Sequence, residues 1–216
     1  MKIDLAYPKI PDCTGFLPTK CIAYEKIDGS NINFSWNKSG WQSFGTRRDK
    51  HEYSKSGKDA FIETHPGLEE VYDLFDDLYA APLNKFFVMT DGLYEHNITV
   101  FGEYYGEGSF AGEHNKDDNK SIVFFDIAIE GKIIDPYTFH KYICVPDIVN
   151  TPKVVYNGKF HGQFTEDVRK GKYNVKEGVV CKGLYNNEVH MCKIKTEAYM
   201  ERLKNKFKDK WKEYWE

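Results

Sequence analysis

AYEKIDGSNINF (residues 23–34) frames the main question this sequence poses. Tyr24, and then Ile32, Phe34 and Trp36, alternate with polar residues, the period-two pattern of half-buried strands. Between them Asp28-Gly29 can supply the positive φ angles of a two-residue turn, so the local expectation is a β-hairpin. That reading leaves Lys26 as a solvated rung of a ladder, two positions before the turn. Its placement gains meaning only from what the rest of the chain brings near it.

Downstream, NKSG (37–40) turns the chain into WQSF, and GTRRDK (45–50) reads as a charged loop. HPGLEEVYDLFDDLYAAP (65–82) carries Leu68, Val71, Leu74, Phe75 and Leu78 at helical spacing, closed by Pro82. FFVMT (86–90) and NITVFGEYYG (97–106) read as strands. SIVFFDIAIEGKIID (121–135) reads as a hairpin turning at Glu130-Gly131. In DPYTFHKYICV (135–145) Asp135 stands where a helix cap belongs and Pro136 at the first helical position. KEGVVCKGL (176–184) and EVHMCKIK (188–195) are strands joined by Asn186-Asn187. A helix at about 197–215 carries the apolar stripe Leu203, Phe207, Trp211 and Trp215. Its lysines, including Lys204, Lys206 and Lys208, form a solvated face or meet a phosphate backbone. Strands with several helices and no regular β-α-β alternation predict an α+β domain of mainly antiparallel sheets flanked by helices.

A chain of 216 residues, 41% hydrophobic and 29% charged, is long enough to bury one core, and a single domain over 1–216 is expected. A net charge of -3 excludes a uniformly basic nucleic-acid binder but leaves room for a local basic groove. The five cysteines show no C-x-x-C pair and leave an odd thiol, which favours a reducing, intracellular compartment over a disulfide framework or a zinc cluster. The seven histidines lack the i, i+4 spacing of a helical metal site and read as surface or core residues. There is no apolar run long enough for a membrane span. A glycine-rich phosphate loop is also lacking, so a bound nucleotide would need other groups to hold its phosphates.

Strand parity supplies such groups. In HMCKIK (190–195), Lys193 and Lys195 project to one face and His190, Cys192 and Ile194 to the other, and two ammonium groups side by side call for an anion. Glu103 and Glu177 each lie in a glycine-bracketed stretch, where backbone can approach a ligand closely. Singly these features have ordinary structural explanations. Together E-K-x-D-G, F-G-E, F-F-D, E-G-V-V-x-K and K-x-K form a long ordered series.

This series resembles the covalent nucleotidyltransferase superfamily of ATP-dependent ligases and capping enzymes, most closely the RNA ligases of the ligase-2-like branch. The resemblance runs from about Tyr24 to Thr196. It implies that Lys26 is the nucleophile that carries AMP, with Lys182, Lys193 and Lys195 as nearby cations that, together with a bound divalent metal, favour its neutral amine and stabilise phosphate charge. It implies that Glu25 reads the adenine edge, that Asn31 lies near the nucleotide, and that Arg47, or Arg48 one residue on, contacts substrate phosphate. Glu103 would hold the ribose or a metal, and Glu177 a metal or AMP. Phe125 would stack on adenine, a role weighed evenly against a place in the core. The implied cofactors are ATP with Mg2+ or Mn2+, and the implied partner is RNA with 5'-phosphate and 3'-hydroxyl ends. A monomer without a C-terminal OB-fold is expected. The readings set beside an RNA ligase are a small ATP-dependent DNA ligase and a nucleotide- or RNA-end-binding module without turnover.

Overall fold

The computed structural model describes residues 6–107, 118–144 and 148–214. The strands are β1 (Lys20–Lys26), β2 (Ser30–Asn37), β3 (Gly40–Thr46), β4 (Lys50–Glu52), β5 (Ile98–Tyr105), β6 (Ser121–Ile129), β7 (Lys132–Ile133), β8 (Val154–Lys159), β9 (Gly178–Tyr185) and β10 (Glu188–Lys195). They form a four-stranded sheet in the order β10-β9-β1-β8 and a six-stranded sheet in the order β4-β3-β2-β5-β6-β7. Every strand-to-strand pairing is antiparallel, in agreement with the α+β expectation.

The expected hairpin at Asp28-Gly29 does not form. β1 and β2 belong to different sheets: Lys26 lies opposite Gly178 of β9, and Asn31 opposite Glu103 of β5. Asp28-Gly29 is the crossover between them, and neither residue has a positive φ. Glycine is required there for space, because a Cβ on Gly29 would stand 2.3 Å from the carbonyl oxygen of Tyr104. The other turns form as their residues predict. Gly40 has φ 102°, Glu130-Gly131 have 48° and 75°, and Asn186-Asn187 have 50° and 62°. Paired positive φ values suit the twist of tight hairpins.

The helices are α1 (Lys55–Thr64), α2 (Val71–Phe75), α3 (Ala81–Met89), α4 (Pro136–Phe139), α5 (Gly162–Arg169) and α6 (Glu197–Phe207). A π-helical turn, Asp76–Ala80, joins α2 directly to α3, so Pro82 sits in the first turn of α3 instead of ending a helix. That wider turn shifts the helical phase. Tyr79 and Ala80 face the core, and Leu78 is 54% exposed. FFVMT, expected as a strand, is the end of α3: Leu83 and Phe87, four apart, are fully buried, with Phe87 5.2 Å from the Trp36 ring. A five-residue apolar run cannot separate strand from helix by periodicity, and packing decided it. α4 follows its cap signal, with Asp135 Oδ1 accepting from the amides of Tyr137 and Thr138 at 3.0 Å. The end of DPYTFHKYICV, at Val145, lies outside the described residues.

One apolar cluster lies between the six-stranded sheet and α1 to α3. At its centre Phe34 and Phe75 stack 3.5 Å apart, and each fully buried phenylalanine contributes about 1.5–3 kcal/mol. A second cluster joins Cys21, Ala23, Cys181, Cys192 and Ile194 to Phe164 and Val168 of α5. Because α5 covers that face, the opposite face of β10, with Lys193 and Lys195, is turned toward the six-stranded sheet. The strand parity read from HMCKIK is thus observed.

α6 is shorter than expected. It ends at Phe207, Lys208 turns at φ 45°, and a 3-10 stretch (Lys208–Tyr214) follows. Tyr199 and Leu203 are buried, with Phe207 and Trp211 packed against them, while Trp215 lies outside the described residues. Among the described residues no helix is long and apolar enough to cross a membrane.

Candidate active site

A cleft of about 590 Å³ opens between the two sheets, and Lys26 stands in it at the last position of β1. Its Nζ lies 3.0 Å from both carboxylate oxygens of Glu177. Lys195 Nζ lies 3.1 Å from Glu177 Oε1. One carboxylate therefore holds two ammonium groups. Glu177 is in place because Lys26 opposes Gly178 across β1 and β9, and Lys195 opposes the same glycine across β10. A Cβ on Gly178 would stand 2.0 Å from the Ile194 carbonyl oxygen, so only glycine lets the three strands meet there.

The cleft also holds Glu25, Asn31, Arg47, Arg48, Glu103, Phe125, Lys182 and Lys193. Of the residues picked from sequence, only Lys195 does not line it directly; its side chain, 1% exposed, supports Glu177 from behind. Phe125 is half-buried on the cleft wall and packs edge-on against Tyr7. Arg47 and Arg48 are both exposed at the rim.

Burial acts to lower the proton affinity of Lys26, but Glu177, Glu103 and Asp28 together outweigh it, and its pKa is raised. Among the protein's own groups, carboxylates therefore dominate the surroundings of Lys26, and the neutral amine expected with a divalent metal in place would need those carboxylates engaged. The cations act on one another instead. Lys193 is pushed down to about 8, first by burial and then by Lys195, Lys26 and Lys9. Lys195 is lowered by burial, opposed by Glu177 and assisted by Lys26. Glu103 is raised to about 7, chiefly by burial; Lys26 opposes the shift, and Glu177 and Asp28 add to it. Asp28 is raised to about 7 by burial and then by Glu177. Burial also raises Glu25, with Lys153 and Lys176 opposing.

Lys182 lines the cleft and is also paired within the protein. Its Nζ is 2.8 Å from Asp126 Oδ1 and donates to the Phe125 carbonyl at 2.6 Å. It lies 5.2 Å from the Tyr24 ring centre and 5.6 Å from that of Phe125. The Tyr7 hydroxyl donates to the other oxygen of Asp126. Lys182 thus anchors the strand that carries Phe125.

Sequence reasoning passed over Asp28, Asp126, Tyr7 and Tyr199. In the sequence Asp28 reads as a turn residue, and the aspartate of F-F-D has no partner marked for it. Tyr199, whose hydroxyl donates to Asp28 Oδ1 at 3.4 Å, lies beyond the motifs and carried no signal. Two buried oxygens in the cleft, Asp28 Oδ2 and Asn31 Oδ1, have no hydrogen-bond partner among the described residues. Such atoms are costly unless a ligand engages them. Glu103 and Glu177 line the same cleft, so the donors it offers near Lys26 are oxygens, the type a hard dication such as Mg2+ or Mn2+ prefers.

Two antiparallel sheets thus close on a cleft of lysines and carboxylates. A family model described as RNA ligase matches residues 19–195, and the chain belongs to that family. No curated protein sequence gives a match. Among solved structures, RNA ligase of Naegleria gruberi is similar in fold. A variant with ATP and Mn aligns with TM-score 0.68 at 13% identity, over 94% of this chain and 59% of that one. A ligand-free variant aligns with TM-score 0.69 at 15% identity, over 95% and 59%. The complex with PPi gives 0.62 at 15% identity, over 94% and 61%. This chain therefore spans about three-fifths of the length of the Naegleria protein.

Proposed function

We propose that this chain is the adenylyltransferase unit of an ATP-dependent RNA ligase, folded as a single domain, with Lys26 as its nucleophile. The observation that carries the reading is Lys26 seated on Glu177, which also binds Lys195, in a cleft with Lys193 and Phe125. Lys26 Nζ attacks the α-phosphorus of ATP, the bond to the bridging oxygen breaks, pyrophosphate leaves with that electron pair, and AMP remains on the lysine. The amine must first lose a proton. Once Glu177 and Glu103 are engaged elsewhere, burial is the main influence left on Lys26, and the neutral amine is favoured.

Lys193 faces the developing phosphate charge, and Lys195 keeps Glu177 oriented. Phe125 stacks on adenine, Glu25 reads the base edge, and Asn31 lies beside the nucleotide. Arg47, or Arg48, receives the phosphate of the RNA end. Glu103, Glu177, Asp28 and Asn31 would hold a divalent cation, which when bound supplies charge neutralisation at the phosphates. In the later steps AMP passes to a 5'-phosphate, and a 3'-hydroxyl displaces it to seal the phosphodiester. Positioning and electrostatics supply most of the catalysis in such in-line displacements.

The test is intact-mass and radiolabel detection of an adduct from α-labelled ATP or GTP with Mg2+, comparing the wild type with Lys26→Ala. The protein is first stripped of bound AMP with pyrophosphate. An AMP adduct from ATP that the variant cannot form is the expected result. No adduct from either nucleotide would leave a binding module without turnover. Sealing of nicked DNA in preference to nicked RNA would make the chain a DNA ligase.

A further inference from the structure

At the rim of the cleft, apart from Lys26 and Glu177, three potential ligand atoms converge. Asp49 lies in the turn before β4, His51 in β4, and His65 caps the C-terminus of α1. Asp49 Oδ2 is 3.4 Å from His51 Nε2 and 3.0 Å from His65 Nε2, and the three ligand atoms lie within 4.8 Å of one another. All three residues are half-buried.

The hydrogen bonds around His65 restrict its tautomer. Its Nδ1 faces the Phe61 carbonyl oxygen at 3.1 Å and Thr64 Oγ1 at 2.9 Å. The Thr64 hydroxyl in turn donates to the Ala60 and Phe61 carbonyls, at 3.0 and 3.2 Å. A carbonyl cannot donate, so Nδ1 carries the proton. A neutral His65 would then point the lone pair of Nε2 at an oxygen of Asp49. Something positive belongs between them. A proton on each Nε2 would satisfy the two pairs separately, whereas one dication would engage both imidazoles and the carboxylate at once.

We infer that Asp49, His51 and His65 form a binding site for a transition-metal dication of the Zn2+ class. Metal–nitrogen and metal–oxygen bonds of about 2.0–2.2 Å at tetrahedral angles separate neighbouring ligand atoms by roughly 3.3–3.6 Å, near the 3.4 and 3.0 Å from Asp49 to the two imidazoles, whose own nitrogens lie within 4.8 Å of each other. Two imidazoles with one carboxylate favour a borderline d-block ion over Mg2+, which prefers an all-oxygen shell. The outer contacts match those of bound metals. Nδ1 of His65 is held by a backbone carbonyl, and Asp49 Oδ1 accepts from the Thr46 hydroxyl at 2.8 Å. His65 also stacks on Phe61, with centroids 4.5 Å apart, which fixes the ring plane.

The site sits where it can govern the arginine turn. Arg48 N donates to Thr46 Oγ1 at 3.2 Å, and Thr46, Arg47, Arg48, Thr64 and His65 all line the cleft. A dication there ties the turn carrying Arg47 and Arg48 to the end of α1. The role is structural and leaves a fourth coordination position for water or a phosphate oxygen. Sequence spacing hid the cluster, since its residues come from a turn, a short strand and a helix end.

The test is a titration of the metal-free protein with Co2+ under excess Mg2+, which competes for carboxylate-only sites. The readouts are visible d–d absorption and thermal unfolding, with Zn2+ as competitor. One Co2+ per chain with the intense bands of low-coordinate geometry, displaced by Zn2+ and accompanied by a higher Tm, is expected. His51→Gln and His65→Gln should each weaken binding by more than the ~10–100-fold that loss of an outer-shell partner costs. The two variants disrupt different elements, so a folding failure in one leaves the other to decide. No band, or the same band in both variants, overturns the proposal, as does an unliganded His65 imidazolium seen by NMR in the presence of Zn2+. None of these readouts depends on adenylylation.

Discussion

Replacing Lys182 by methionine keeps the length of the side chain and removes its charge, leaving Asp126 buried with the Tyr7 hydroxyl as its remaining partner. The pair is 2.8 Å long between side chains only 2% and 1% exposed, so solvent screening is slight. Breaking a buried pair from one side costs about 3–5 kcal/mol. With a urea dependence of ~2–3 kcal/mol/M, the unfolding midpoint should fall by roughly 1–2.5 M. Burial already raises the Asp126 pKa against the opposition of Lys182, so losing Lys182 raises it further. A carboxyl whose folded pKa lies above its unfolded value contributes stability below the unfolded pKa and loses it as pH rises through the folded one. The Lys182→Met penalty should therefore be larger at pH 8 than at pH 5. Adding Asp126→Asn removes the charge and keeps an acceptor for Tyr7, so the double variant should recover about 2 kcal/mol or more of the loss. Urea denaturation of wild type, both single variants and the double variant at two pH values completes the cycle. A single-variant loss below about 1 kcal/mol, or strict additivity, would refute a buried, coupled pair beneath Phe125.

The remaining expectations concern the crossover and the carboxylates. Gly29→Ala must displace the Tyr104 backbone or the β1–β2 crossover, and should cost about 1–3 kcal/mol in denaturant melts while lowering the yield of the AMP adduct. Glu103 and Asp28, both near 7 in the ligand-free protein, contribute stability that is fully present below about pH 4 and lost as pH rises through 7. Tm of the ligand-free protein should thus fall between pH 5 and pH 8, and Glu103→Gln should flatten that slope; an unchanged slope would show that Glu103 is ionised throughout. Lys193, near 8, should make adenylylation decline above that pH, and Lys193→Arg, which stays charged, should shift the decline upward. A pH profile identical in the two proteins would remove Lys193 from the phosphate site.

The site was legible to the extent that period-two parity and short motifs encode it. HMCKIK alone determines that Lys193 and Lys195 share a face, and the Glu130-Gly131 and Asn186-Asn187 turns follow from residues that tolerate positive φ. The Asp135 cap likewise follows from local hydrogen bonding. Other features depended on partners distant in sequence. Asp28-Gly29 looks like a hairpin turn, but β1 found β8 and β9 while β2 found β3 and β5, and no local signal records that choice. FFVMT has strand-like composition and became helix because Leu83 and Phe87 bury together.

By itself, then, the sequence determined which residues could carry the chemistry: Lys26, the two glutamates, and the paired lysines of β10. Alternation along a strand pairs the two lysines, and the parts given to Lys26 and the glutamates are what the ordered motifs imply through their resemblance to RNA ligases. Only the tertiary structure decided their charge and company. It seated Lys26 and Lys195 on one Glu177, raised Glu103 and Asp28 by burial, tied Lys182 to Asp126 and Tyr7, and gathered Asp49, His51 and His65 at the rim. The physical reason is that proton affinity depends on desolvation and on charges a few ångströms away. The packing of two sheets sets those distances across more than a hundred residues of chain.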